Sequence, residues 1–496
     1  MRQGPFAGRW AAAAAMVTFA LVPYLVLSAA VEPLTPRIAT DLHTSLQTLS
    51  LGSGLANAAY AVGTVLAVQF AQHLPQRRMM VLYAVLLLAG SILAASAQDA
   101  AVFITGHVLQ GLCTSLLLIA AVPPLAIGYP ATKLRNTAVI MNMCIFGAVA
   151  LGPTIGGIQA RAGGWRPLFW IVAAVSATAL VLSLLTFEDS PPANPDAPRD
   201  LPAIALAAIG CVAAFYGASE LLTHSFVGFS TLLPLLGGLI VIVALIVYEY
   251  RAKRPLLTVR TMLTSTIPVA GVLVALFAAA ASVSATALTA AVLLQHYEPL
   301  TVGLLYLPEA AGAVITAVLL GVLLRRKGLH YMPLGGMLFL AAGIAVFRVQ
   351  VPPSQTLTLV GSGLTGIGLG ATVAPALFVA GFSLPSANLQ RVFAIVELLR
   401  AVAAFMIAPI FAHLAVTVGG SLEQGTATAL SIGLGLAIAG VVLGVALYLV
   451  GGARPQTPDL DRFLDGAAPA WYSPPLFAKL RGLPHTATFG SEISKW

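Results

Sequence analysis

Apolar residues in this chain come in blocks about as long as a membrane is thick. From residue 11 to residue 450, runs of mainly Leu, Ala, Val and Ile follow one another, while Pro, Gly and charged residues collect in the short gaps between them. A helix needs roughly 20 such residues to cross about 30 Å of hydrocarbon. Placing boundaries at the gaps predicts 14 helices, over 11–36, 49–72, 79–97, 101–122, 136–160, 167–187, 201–219, 230–250, 266–294, 301–324, 331–349, 357–380, 391–417 and 426–450. Strands of a closed barrel, the other structure that satisfies its backbone in lipid, would alternate in polarity, and these blocks do not. The pattern predicts an all-α polytopic membrane protein.

Composition agrees, with 59% hydrophobic and 8% charged residues against about 45–50% and about 25% in soluble domains. Charge adds orientation, because Lys and Arg gather in cytoplasmic loops. Twenty of the 25 fall on the side of the N-terminus; Arg37, Arg161, Arg166 and Arg348 fall on the other, and Arg400 lies inside a helix. An extra or missing helix would scramble that asymmetry, so both termini are expected in the cytoplasm and the chain in the inner (plasma) membrane. The net charge of +8 follows from this topology and implies no nucleic-acid partner. The basic start "MRQGPFAGRW" precedes an apolar run without a clear cleavage site, which is read as a retained first helix.

Shifting the chain by 255 residues lays "GHVLQG" (106–111) on "GSGLTG" (361–366), Pro130 on Pro385, Leu134 on Leu389 and Asn142 on Glu397. Parallel repeats of this kind build transporters from two halves, with the substrate path between them near the midplane. The expected division is a six-helix bundle over 1–187, a linker with two additional helices over 188–260, a second six-helix bundle over 261–450 and a cytoplasmic tail over 451–496. The tail, with "PDLDRFLDG" and "WYSPPLF", is expected to be partly disordered with one short interfacial helix.

Several stretches resemble one family. "ALGPTIGG" (150–157) followed by "GGWRPLF" (163–169) is similar to the antiporter motif and adjoining Trp-Arg signature of major facilitator superfamily drug exporters. "HVLQG" resembles that family's R-x-x-Q-G motif with His107 in place of arginine, and "GVLLRRKG" (321–328) its loop motif G-x-L-x-D-R-x-G with Arg325 in place of the acid. With 14 helices the resemblance is to the drug:proton antiporter subgroup. It implies the major facilitator fold, proton-coupled export by alternating access, and conformational roles for Gly152, Pro153, Gly156, Gly157, Arg77, Arg78, Arg326 and Gly328. The departures fall on coupling. "VQFAQHLPQRRMM" keeps Arg77 and Arg78 but has Gln72 or His73 where the acid belongs, and the first helix has Leu27 in the place of the usual Asp and Glu32 where Asn is more typical.

Read residue by residue, helical spacing gathers polar groups into stripes. Tyr24, Ser28 and Glu32 are four apart; Ser53, Asn57, Tyr60 and Thr64 share a face; so do His107, Gln110, Gly111 and Thr114. Such groups line a cavity or bond another helix, since lipid would leave them unsatisfied. Tyr24, Ser28, Asn57, Tyr60, Gln110 and Asn142 are the candidates for a substrate cavity. A charge at a helix centre costs roughly 2.5–3.5 kcal/mol on insertion scales, so a retained one needs a partner or a function. Glu397 and Arg400, three apart, can pair. Glu309 has no cationic neighbour in sequence, and His107 can load and release a proton where arginine cannot. Proton coupling is therefore assigned to His107, Glu32, Glu309, Glu397 and Arg400, with a His107–Glu32 pair as one alternating state. The bland readings are interhelical hydrogen bonding for His107, a structural ion pair for Glu397 and Arg400, and a hydrated outer vestibule for Glu309 and Glu32.

No enzyme is expected: there is no G-x-x-x-x-G-K-[ST], no H-E-x-x-H and no H-x-x-x-x-D, and Cys113, Cys144 and Cys211 lie singly, so no metal or cofactor is expected either. The function expected is proton-coupled export of small amphipathic or cationic compounds. The alternatives are export or flipping of an endogenous lipid-like metabolite, and a non-transporting membrane sensor. The partners expected are the substrate, protons and membrane lipids, with the protein monomeric.

Overall fold

The computed structural model describes residues 4–187, 192 and 194–481. Fourteen helices are long and apolar enough to cross a membrane: α1 (Trp10–Ala30), α2 (Leu46–His73), α3 (Gln76–Ser96), α4 (Ala100–Ile127), α5 (Ala131–Arg161), α6 (Arg166–Thr186), α7 (Leu201–Glu220), α8 (Phe229–Arg251), α9 (Thr266–Leu293), α10 (Pro299–Leu323), α11 (Lys327–Val349), α12 (Gln355–Phe382), α13 (Ser386–Thr417) and α14 (Leu422–Gly451). Each predicted block is one of these helices, and no strand occurs among the described residues. With an even number of crossings, the start of α1 and the end of α14 share a face, which carries most of the Lys and Arg and is called the basic face below. Arg2 and Lys495, two of the cations counted on it, lie outside the described residues.

The first helix is shorter than expected. It ends at Ala30, after which the chain makes a 3-10 turn (Glu32–Leu34) and a short helix (Thr35–Asp41). Pro33 and Pro36 lack the N–H that would continue the helix, so Glu32 sits just beyond α1 and not inside it.

Packing follows the repeat. In the first half α1 packs on α4, α5 and α6, while α3 packs on α4 and α6; in the second, α9 packs on α12, α13 and α14, while α11 packs on α12 and α14. The halves meet through α2 against α13 and α5 against α10, and α7 lies on both α2 and α13 with α8 outside it. Helices α4 and α12 begin and end at positions offset by the same 255 residues, and Asp99 and Ser354, offset likewise, each accept the N–H of the third residue on as an N-cap. The bond from His413 Nδ1 to the Leu221 carbonyl, 2.7 Å, fixes the far end of α7 to α13.

The tail is described from Gly452 to Arg481. Gly452, with φ +68°, stops α14 in the left-handed conformation that glycine adopts without penalty. The chain then folds back under the second half through a single short helix, Leu460–Leu464. Trp471 is 3% exposed and Phe463 fully buried, so the described part of the tail, to residue 481, is packed and not disordered. Its polar, Pro-rich composition concealed a few aromatic residues that have grooves to fill. The remainder of the tail lies outside the described residues.

Candidate functional site

The polar stripes of α1, α2 and α4 converge inside the first half. His107 and Gln110 stand one turn apart on α4, so that the ring Nδ1 lies 3.2 Å from the amide oxygen; Gln110 then donates to Ser91 of α3 at 3.1 Å, and Ser91 lies 3.2 Å from Ser176 of α6. His107 is 6% exposed, stacked on Phe103 at 6.0 Å and 5.5 Å from the Tyr24 ring. Tyr24 donates to Asn57 Oδ1 at 3.3 Å and stacks on Tyr60 at 6.2 Å. No Asp, Glu, Lys or Arg takes part in the bonds of this network. In this structure the His107 ring bonds Gln110 on its own helix, while Glu32 lies beyond the end of α1. Other members of the stripes turn inward on their own backbone, as Ser28 to Leu25 and Thr64 to Ala61, both at 2.7 Å, which is the ordinary fate of a hydroxyl in a membrane helix.

The second half carries its polarity as charge. On α13, Arg400 grips Glu397 Oε2 with Nη2 at 2.7 Å and Nε at 2.9 Å, so the three-residue spacing does produce a pair. Tyr60 joins it from the other half: its hydroxyl donates to the same Glu397 oxygen at 3.3 Å and accepts from Arg400 at 3.4 Å. Tyr60, Glu397 and Arg400 thus form one buried knot across the α2–α13 contact, and Glu397 Oε1 has no partner. Sequence reasoning missed the link because 337 residues separate Tyr60 from Glu397.

Glu309 on α10 is 3% exposed, which sets aside a hydrated vestibule for it. It accepts from Thr286 at 3.4 Å through one oxygen, and the other is unpartnered. Thr286 belongs to a π-helical turn of α9 (Ser284–Leu288), a widening of the helix often found where function is housed. Tyr306, one turn before Glu309, bonds Thr289 and lies within electrostatic reach of both Glu309 and Glu32. The stretch "LYLPEAAG" held this tyrosine in view, but nothing local signalled that two acids would flank it. Glu32 itself is exposed, as is Ser28 one turn before it. Surrounding protein nevertheless pushes its carboxyl up to about 7.

The motif residues divide by role. A methyl group on Gly152 would come within 2.5 Å of Ala29, and one on Gly156 within 2.4 Å of the Ala30 carbonyl, so α5 lies directly on α1. Gly157 faces the Pro299 carbonyl of the other half at 2.4 Å in the same sense; Gly303 faces the Pro153 carbonyl at 2.6 Å; and Thr154 donates to the Gly303 carbonyl at 2.7 Å. This seam closes the halves at the face opposite the basic one. On the basic side, Gln390 of α13 donates to the Ile119 carbonyl of α4 at 3.1 Å, and Gly321 of α10 packs on Val139 and Arg135 of α5. Nearer the midplane, fully buried Asn142 donates to the Gly370 carbonyl at 3.0 Å and leaves its own oxygen unpartnered. The halves therefore touch on both sides of the central knot. Arg77 donates to the Leu184 carbonyl at 3.3 Å, Arg78 and Arg326 are exposed, and Gly328 packs on Leu323, so these four lie at the basic face away from the knot. His73, where the loop motif lacks its acid, bridges Gln69 and the Ala197 carbonyl at 2.9 Å.

Among the described residues no three His, Cys, Asp or Glu side chains are grouped so as to hold a metal ion. A family model described as Major Facilitator Superfamily matches residues 11–295. Curated relatives include an MFS-type transporter, YubD, of Bacillus subtilis, 26% identical over 63% of this chain and 62% of its own length. Also similar are Multidrug resistance protein Stp (26%, 70% of this chain, 65% of its own) and Drug efflux pump JefA (26%, 72% of each), both of Mycobacterium tuberculosis. The chain thus spans about two thirds of the length of these relatives. In fold it is similar to crystal structures of the peptide transporter POT, with a TM-score of 0.60, 16% identity, and 90% of this chain and 97% of that one covered.

Proposed function

The chain belongs to the Major Facilitator Superfamily, and from that premise we propose that it is a proton-coupled secondary transporter that exports small amphipathic or cationic compounds by alternating access. Residues 1–187 and 261–450 are the two moving halves, 188–260 the additional pair and its linkers, and the basic face is cytoplasmic in the plasma membrane. The observation that carries this reading is the knot of Tyr60, Glu397 and Arg400, which ties one half to the other through a buried carboxylate with a free oxygen. A proton arriving on that oxygen cancels the charge that holds Arg400 and weakens the link to Tyr60, so loading a proton and separating the halves become one event. A buried ion pair that loses one charge leaves the other uncompensated, a cost of several kcal/mol that drives rearrangement. Glu309, with its own unpartnered oxygen, and Glu32 supply two carboxylates around Tyr306, one from each half, to which a cation or a proton can bind in competition. The polar chain from His107 to Ser176 positions Tyr24 and Tyr60. The names of the similar multidrug-resistance and efflux proteins support transport as the activity.

The test is dye or drug transport into proteoliposomes under an imposed pH gradient. Gradient-driven accumulation by the parent, lost in Glu397→Gln and Glu309→Gln, supports the reading; accumulation indifferent to the gradient sinks it. One observation favours the lipid-like alternative. A groove of about 360 Å³ lined by Trp10, Arg135, Asn136, Val139, Ile140 and Val318 opens beside the contact of α5 and α10, apolar apart from Arg135 and Asn136, as an acyl chain with an anionic head would require. Competition of dye export by a long-chain anionic amphiphile, relieved by Val139→Trp, would move the assignment to that class.

A further inference from the structure

We infer that the segment from Gly452 to Arg481 is a latch that holds the basic-face gate shut. The inference rests on alternating access as proposed above. Helices leave unsatisfied carbonyls at their C-terminal ends and unsatisfied N–H groups at their N-terminal ends, and a segment that satisfies several of these at once fixes those helices together. The tail does this for the second half. At the end of α12 the Phe382 carbonyl takes the N–H of Ala470 at 2.8 Å, and at the end of α14 the Val450 carbonyl takes that of Lys479 at 3.1 Å. At the start of α9 the N–H of Thr266 finds the Pro474 carbonyl at 2.9 Å and that of Ile267 finds Ser473 Oγ at 3.0 Å. Trp471 is the pin: its indole donates to Ser383 Oγ at 2.7 Å, and its ring lies 4.4 Å from His330 of α11 and 5.6 Å from Phe382.

One element of the tail reaches the other half. The short helix Leu460–Leu464, seated on the second half by the contact of Phe463 with Phe382 at 4.9 Å, lies against the Ala131–Asn142 part of α5. That part of α5 is where Gly321 packs, on the side of the molecule where Gln390 reaches across to α4. On the second half the tail is held by these hydrogen bonds and a buried tryptophan, and on the first by the seating of its short helix against α5. When the halves part at this face the tail leaves with the second half, and its contact with α5 is the one that breaks. The latch is therefore a stabiliser of the closed basic face that acts from outside the membrane-spanning region, without touching the central knot.

A brace that merely strengthened the second half would lower heat stability on removal and leave the gate alone, which sets the test. Nitroxide labels at Thr132→Cys of the first half and Arg260→Cys beside α9, both exposed on the basic face, report the gate in full-length protein in lipid nanodiscs; Cys113, Cys144 and Cys211 are buried and stay unlabelled. The parent is expected to show a short and a long distance whose ratio responds to pH or substrate. A chain ending at Gly452, and full-length Trp471→Ala, are expected to raise the long-to-short ratio about fivefold, the low end of coupling between linked sites, while Trp471→Phe, which keeps a ring but loses the bond to Ser383, falls between them and the parent. Trp471→Ala decides the matter if the shortened chain does not fold. A distribution in Trp471→Ala equal to that of the parent overturns the latch, whatever happens to heat stability. A parent with one unresponsive distance overturns alternating access itself, and the latch with it.

Discussion

The two halves share a helical plan but handle their buried polarity in opposite ways. In the first half, His107, Gln110, Ser91 and Ser176 hand hydrogen bonds from one group to the next with no carboxylate or guanidinium among them, and Gln110 uses both ends of its amide. In the second, Glu397 and Glu309 each keep one buried oxygen with no partner, and Glu397 balances a guanidinium. A satisfied neutral network rigidifies what it joins. A carboxylate with a vacant lone pair inside a protein has somewhere to put a proton. In the function proposed above, the hydrogen-bonded network of the first half positions and the buried carboxylates of the second titrate, with Glu32 joining them from the first half and Tyr60 linking the two.

Arg400→Gln attacks this contrast where it is sharpest. Removing one partner of a buried pair costs about 3–5 kcal/mol, so the variant should unfold at markedly lower temperature and lose gradient-driven transport altogether, whereas the double variant Glu397→Gln/Arg400→Gln should recover most of the stability and none of the coupling. Equal stability in the single and double variants would show that the charges are not paired energetically. Next in size, Glu309→Gln should cut gradient-driven export by about tenfold or more, as loss of a proton-transfer group commonly does, with cation binding retained in part through Glu32; full activity in Glu309→Gln would leave titration to Glu397 and Glu32.

Glu32 gives the sign of a pH effect. Its carboxyl, raised to about 7, is protonated below that pH and charged above it. Binding of a cationic dye, measured by fluorescence, should therefore strengthen between about pH 6 and pH 8, over which the ionised fraction of such a group rises from about a tenth to nine tenths, and Glu32→Gln should flatten the profile. The smallest effect is expected at His107. Loss of a neutral hydrogen bond is worth about 1 kcal/mol, so His107→Ala should shift the melting temperature modestly and leave the pH dependence of transport in place. Abolition of the gradient response in that variant would erase the distinction between the halves.

The crossings were legible because hydropathy is local: a block of apolar residues forms a helix whatever lies elsewhere in the chain. The pair of Glu397 and Arg400 was legible for the same reason, being three residues apart on one helix. The end of α1 was misjudged because the apolar run continues past Ala30, while Pro33 and Pro36 decide the backbone. That Gln110 would take the His107 ring was only half legible, since spacing puts the two on one face without saying which neighbour a ring will choose. Tyr60's bond to Glu397, Tyr306 between two acids and the seating of Trp471 depend on surfaces that exist only after the helices have assembled, and no spacing in the chain encodes them.

The seam between α5 and α10 bears on speed. Gly157 against Pro299 and Gly303 against Pro153 set backbone on backbone, with the short side chain of Thr154 bonding across. Such a joint has almost no rotamers to freeze on closing or to liberate on opening, so side-chain entropy contributes little to the barrier at that face. With the halves moving as proposed above, the temperature dependence of turnover belongs to the charged knot at the centre, and a bulky residue placed at Gly157, where a Cβ would meet the Pro299 carbonyl, acts as a doorstop that keeps this face from closing.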